Sequence, residues 1–151
     1  MGMRTVRAAA ALGVISLLGA CAATSEQRAP GEATVHVERH TWGGLCATGP
    51  CASDLVVQDD GTWTYSSSET QDTSGTLSDT ELDALYAAVA DTALGGASAA
   101  TQECAADADG TSVRYTWTLD DESGAASSCE TAIDGKDPLV AYLDELATSV
   151  G

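Results

Sequence analysis

Two histidines flank a glutamate in HVERH (36 to 40), and acids recur at Asp59/Asp60, at Asp120/Asp121/Glu122 and in ADADG (106 to 110). Each pattern invites a chemical reading. A zincin helix reads H-E-x-x-H so that one helix face carries two imidazoles and the base, but here the glutamate stands third. The segment suits a strand better, where His36, Glu38 and His40 share a face at alternate positions. One further ligand would make that face a metal site; the plainer expectation is a solvent-facing polar stripe on an edge strand. These are the only two histidines, and no serine sits in a G-x-S-x-G context, so hydrolysis by a Ser-His-Asp set has little to work with. The paired acids fall at expected hairpin turns, where acids are favoured for backbone reasons. ADADG is a fragment of a calcium loop, with Ala105 at its first ligand position and Thr116 at its twelfth. A non-enzymatic protein without metal or cofactor is expected.

The remaining candidates are the cysteines. WGGLCATGPC (42 to 51) places Cys46 and Cys51 five positions apart around Gly49-Pro50, with Cys104 and Cys129 further along. A zinc site would want C-x2-C knuckles, and a redox pair would want C-x-x-C at a helix start. Neither is present. What four thiols do depends on compartment, and the N-terminus speaks to that. MGMRTVRAAAALGVISLLGAC has two cations, Arg4 and Arg7, then an apolar run, then small residues: the order of a secretory signal peptide. Ala8 to Ala23 is 16 residues, short of the roughly 20 that a spanning helix needs.

Leu18-Gly19-Ala20-Cys21 resembles the lipobox of bacterial lipoprotein signal peptides. The resemblance implies removal of residues 1–20, lipid on Cys21, and attachment to the extracytoplasmic face of the cell membrane through more than one acyl chain. Export in turn implies disulfides, since four cysteines remain in an oxidising compartment. Of three possible connectivities, Cys46 with Cys51 and Cys104 with Cys129 is favoured: the first two share one loop and the last two bracket one expected hairpin.

Cleavage after residue 20 leaves 4 Lys and Arg against 23 Asp and Glu, a formal −19. Such a field repels nucleic acid and anionic lipid headgroups, so the lipid must anchor the chain and nucleic acid is excluded as a partner. Basic proteins or divalent cations would be attracted. The charge also keeps a tethered, monomeric domain soluble.

Residues 21–32 read as a lipid-anchored flexible tether, and 33–151 as one domain. ATVHVERHTW (33 to 42) alternates as a strand with Val35 and Val37 on one face. Asp60-Gly61 between two apolar runs signals a two-residue hairpin turn, which would set Val56 opposite Tyr65 and Gln58 opposite Trp63. Ser78-x-x-Glu81 is a capping box, Leu77 and Leu82 a hydrophobic staple, and Leu82, Leu85, Tyr86 and Val89 the stripe of a helix ended by Leu94-Gly95-Gly96. Val113, Tyr115, Trp117 and Leu119 alternate on a strand that DDESG turns and AASSCETAI returns. Asp137-Pro138 then opens a helix with Leu139, Tyr142, Leu143 and Leu146 on one stripe. The expected architecture is α+β, β-ββα-ββα: a single antiparallel sheet with two helices packed on one face. With no Phe, its thin core would rely on Trp63, Trp117, the tyrosines and the helix leucines.

A strand running into Gly43-Gly44, a strand pair around DGTWTY, a capped helix, a Y-T-W-T strand (115 to 118) and a closing D-P-L helix together resemble a group of uncharacterised exported lipoproteins of high-GC bacteria. That group is distantly similar to emfourin, an inhibitor of thermolysin-type metalloproteinases. Emfourin-type sequences carry Gly-Gly-aromatic-Ala-Gly after the first strand; this chain has Gly43-Gly44-Leu45-Cys46-Ala47, so only the glycine pair and small residue match. The resemblance implies a contact role for Trp42, Gly43, Gly44, Leu45 and Pro50, held by the Cys46 ring, with a peptidase as partner. The alternative is a structural or accessory envelope lipoprotein whose acidic surface binds basic proteins or cations.

Overall fold

Two local signals start the helices. Before α1 (Asp79–Ala90), the Ser78 hydroxyl accepts from Glu81 N while Glu81 Oε2 accepts from Ser78 N at 2.7 Å, completing the capping box. The Ser78 side-chain and backbone donors hold the Glu81 carboxyl below the usual glutamate range. Before α2 (Pro138–Val150), the Asp137 carboxylate accepts from Leu139 N and Val140 N, with proline in the first turn where its missing N–H costs nothing.

The computed structural model describes residues 33–46, 49–96 and 103–151, the side chains of 49 and 50 excepted. Six strands form one sheet: β1 (Val35–Cys46), β2 (Gly49–Val57), β3 (Thr62–Ser67), β4 (Thr73–Thr76), β5 (Thr111–Leu119) and β6 (Glu122–Ser127). Their spatial order is β4-β3-β2-β1-β5-β6, antiparallel throughout. Alternation decides which side chains meet the helices. Val35 and Val37 of β1, Leu55 and Val57 of β2 and Tyr115 of β5 are buried with Leu85 and Val89 of α1 and Leu139, Val140 and Leu143 of α2. The fold is α+β, with both helices on one face of the sheet.

Besides the β5–β6 turn, which is Asp120-Asp121 alone so that the return strand is Glu122–Ser127 and not AASSCETAI, four expectations need correction. First, β1 lies at the centre, paired with β2 and β5, so its HVERH stripe is not on an edge. Second, the β2–β3 turn has three residues. Gln58 N donates to Thr62 O and Gly61 N to Gln58 O, Gly61 takes a left-handed φ of 77°, and the Asp60 carboxylate accepts from Thr62 N and Oγ1. A type I turn closed by a left-handed glycine adds one residue, which shifts the register: Leu55 opposes Tyr65 and Val57 opposes Trp63. Third, TSGT forms a strand although it carries no apolar pattern. Trp63 supplies the missing surface, because its indole lies over Gly75, where a Cβ would meet ring carbon at 2.5 Å. Fourth, α1 stops at Ala90, not at Leu94-Gly95-Gly96, which forms a separate 3-10 turn. The cause is Asp137: its carboxylate also accepts from Ala93 N and Thr92 Oγ1, both at 2.8 Å, and pulls the chain out of the helix.

The tryptophans consequently cover the core instead of filling it. Trp63 and Trp117 are only partly buried, and Trp117 repeats the arrangement of Trp63 by lying over Gly124 of β6. Tyr115 is the large aromatic inside, 2 % exposed, its hydroxyl donating to Asp144 Oδ1 at 3.0 Å, the oxygen that also accepts from Arg39 Nε at 2.7 Å. Burial, reinforced by the Asp144 charge, pushes the Tyr115 hydroxyl up to about 12. Burial also pushes Tyr142, whose hydroxyl donates to Glu81 O, up to about 12. Both phenols keep their protons in the fold where the unfolded chain, titrating near 10, has lost them. The contribution of these two phenols to stability is therefore level up to about pH 10 and falls from there toward pH 12, by about 2 kcal/mol for Tyr115. Urea unfolding across pH 9 to 12 measures this, and Tyr115→Phe, with no proton to lose, is expected to flatten the decline.

Candidate functional site

The residues singled out around 42 to 51 form the far end of the β1–β2 hairpin. Trp42 pairs with Ala52 and Gly43 with Cys51, the register then shifts, and Cys46 pairs with Gly49. Cys46 and Cys51 are joined by a disulfide across this end, their Cα atoms 5.2 Å apart. The segment is thus a covalently closed hairpin tip, not a free loop. Two glycines permit the shift, since Gly43 and Gly44 hold φ of 90° and 73°, which other residues reach only under strain.

Gly43 has a second reason to lack a side chain. A Cβ there would lie 2.5 Å from Ala106 Cβ and from Gly110 O, so the 3-10 turn Ala105–Ala108 packs directly on the tip's base. Ser112, fully buried, holds that turn: its Oγ accepts from Ala106 N at 3.0 Å and sits 3.2 Å from Cys104 Sγ. Cys104 is bonded to Cys129 just beyond β6. The second disulfide therefore braces the turn against which the first one's hairpin rests. Sequence spacing suggested the pairings; it carried no sign that Ser112 and Ala106 connect them.

Leu45 is 81 % exposed, the one large hydrophobic side chain so exposed among the described residues. On the open face of the sheet, Trp42 stacks on His40 with ring centroids 5.3 Å apart and planes 16° apart. His40 Nδ1 lies 2.6 Å from Asp54 Oδ1 on β2, and His36 Nε2 lies 3.1 Å from Glu38 Oε1. The stripe is divided into local pairs, and among the described residues no three His, Cys, Asp or Glu converge as metal ligands. The sequence carries no sign of the His40–Asp54 contact, because it depends on the β1–β2 register. Pro50 lies where side chains are not described, and Cys21, the expected lipid site, lies outside the described residues.

No protein-family model matches the chain, and no curated protein matches it. No helix among the described residues is long and apolar enough to cross a membrane.

Proposed function

We propose that the protein is an exported, lipid-anchored binding module that engages a protein partner through the hairpin tip. The observation that carries this reading is Leu45: among the described residues the one large hydrophobic side chain so exposed, near the end of a disulfide-closed hairpin braced from behind. An apolar side chain kept in water loses free energy that a partner's pocket would recover, and a tip already fixed in shape loses little entropy on binding. Topology adds to this. The chain enters β1 at Val35 and runs 12 residues to Cys46, so the tip stands up to about 36 Å from the entry point at a rise of roughly 3.3 Å per residue. The tip is thus at the opposite end of β1 from its first residue. The acids Asp107 and Asp109 in and after the bracing turn are exposed, so a partner with basic groups around an apolar socket fits best.

The partner class to test first is a secreted metalloproteinase. Wild-type protein at micromolar concentration is expected to inhibit, and Leu45→Ala to weaken inhibition by ten- to a hundred-fold, since burying a leucine is worth about 1.5–3 kcal/mol. Trp42→Ala should weaken it as well, and Leu45→Ala, at so exposed a side chain, should move the melting temperature by no more than a degree or two. No inhibition by the wild type removes the peptidase form of this reading. Inhibition that survives both substitutions removes the tip as the contact.

A further inference from the structure

The two edges of the sheet differ. β4 is four residues long, and Thr73 at its start is tied to α2 through Val150 O at 3.0 Å. β6 is six residues, ESGAAS, with one charge and no proline, and among the described residues no strand pairs with its outer side. Ser128 N donates to Val113 O just beyond the β6 ladder. By the alternation of an antiparallel pair, the amides of Gly124 and Ala126 then face β5, while those of Ser123 and Ala125 face outward with their carbonyls.

Beside this edge, on the helix-covered side, lies a cavity of about 290 Å³ lined by Val89, Thr92, Gly95, Trp117, Leu119 and Glu122, among others. Gly124 lets the Trp117 indole reach it: a Cβ at Gly124 would meet the ring at 2.2 Å, so the ring passes over β6 toward the edge. A strand laid along β6 would point the side chain opposite Gly124 to this same side of the sheet, toward the indole. The surroundings are electronegative. Glu122 lines the cavity, Asp91 and Asp121 are exposed nearby, and α1 ends here with no basic residue in its last turn to offset its C-terminal carbonyls. Among the described residues no cation lines the cavity, and Arg114, further along β5 opposite Ser127, lies 3.9 Å from the Glu130 carboxylate.

We propose that the outer edge of β6 is a strand-addition site for an extended basic peptide segment, whose lysine or arginine opposite Gly124 lies across Trp117 toward Glu122. Main-chain hydrogen bonds to Ser123 and Ala125 supply the pairing, and the cavity selects the side chain through its apolar walls, the indole face and the carboxylate. This site is separate from the hairpin tip and stands without it.

The test is a titration of the 15N-labelled full chain, held in detergent, with three capped hexapeptides: Thr-Val-Lys-Val-Thr-Val, the same peptide with glutamate for lysine, and the lysine peptide with N-methyl groups at alternate residues. The lysine peptide is expected to give saturable shifts centred on the Ser123 and Ala125 amides and the Trp117 indole N–H. Glutamate or N-methylation should weaken binding at least ten-fold, and Glu122→Gln several-fold. Ala125→Pro, which replaces an outward N–H with a ring at the edge, should abolish it; the N-methylated peptide tests the same hydrogen bonds without altering the protein. Equal binding of the N-methylated peptide, shifts centred elsewhere, or no saturable shift at millimolar lysine peptide would overturn the proposal.

Discussion

Replacing Asp137 with alanine is expected to lower the unfolding free energy by about 3 kcal/mol. Asp137 is 7 % exposed, and its two carboxylate oxygens serve two segments at once. Oδ1 accepts from Leu139 N, Val140 N and Thr92 Oγ1, while Oδ2 accepts from Ala93 N. Loss of an N-cap alone costs about 1 kcal/mol. Leaving the partly buried Ala93 N–H and Thr92 hydroxyl without a partner adds about 1–3 kcal/mol. Against the 5–15 kcal/mol typical of a domain this is a large fraction, visible as a fall in the urea midpoint at unchanged slope. Asp137→Asn separates the two duties. Its Oδ1 can still cap α2, but its amide meets the Ala93 N–H donor to donor, so about half of the loss should return. If asparagine and alanine are equally damaging, or neither matters, the double role is wrong.

The second large effect concerns the disulfides, and their order matters more than their size. Chain entropy assigns about 3.5 kcal/mol to closing the long ring between Cys104 and Cys129 and about 2 kcal/mol to the short ring between Cys46 and Cys51. Changing both Cys104 and Cys129 to serine should therefore destabilise more in urea unfolding. It should also raise hydrogen exchange at Gly43 and Gly44, because the Ala105–Ala108 turn that presses on Gly43 loses its tie to the end of β6. Changing Cys46 and Cys51 to serine should mobilise the tip and leave exchange in α1 and α2 unaltered. A reversed order of stability, or an unmoved Gly43 after loss of the long bridge, would contradict the bracing arrangement.

What could be read from the chain alone was local. The Ser78 capping box and the Asp137-Pro138 helix start are set by residues three apart or fewer, and the β5 alternation by one strand's own pattern, so all three are present where expected. The misses depend on distant partners. β4 has no apolar pattern because Trp63 of the neighbouring strand supplies its cover over Gly75. The β2–β3 register moved by one because Gly61 closes a three-residue turn, a choice that Asp60-Gly61 leaves open. The end of α1 was misplaced since the residue that stops it, Asp137, lies more than forty positions away. At the tip, the cysteines and Leu45 stood out by type and spacing, while the packing of Ala106 on Gly43 and the His40–Asp54 contact needed the assembled sheet.

The tip is a fixed, closed contact surface only if the chain is exported and its sulfurs are oxidised. The most direct measurement is the intact mass of the protein isolated from its native host, before and after reduction. The expected result is a chain beginning at Cys21, heavier by a diacylglyceryl group and a further acyl chain, that gains four hydrogens on reduction, two for each bond. A chain that keeps residues 1–20 and carries free thiols at Cys46 and Cys51 would contradict it.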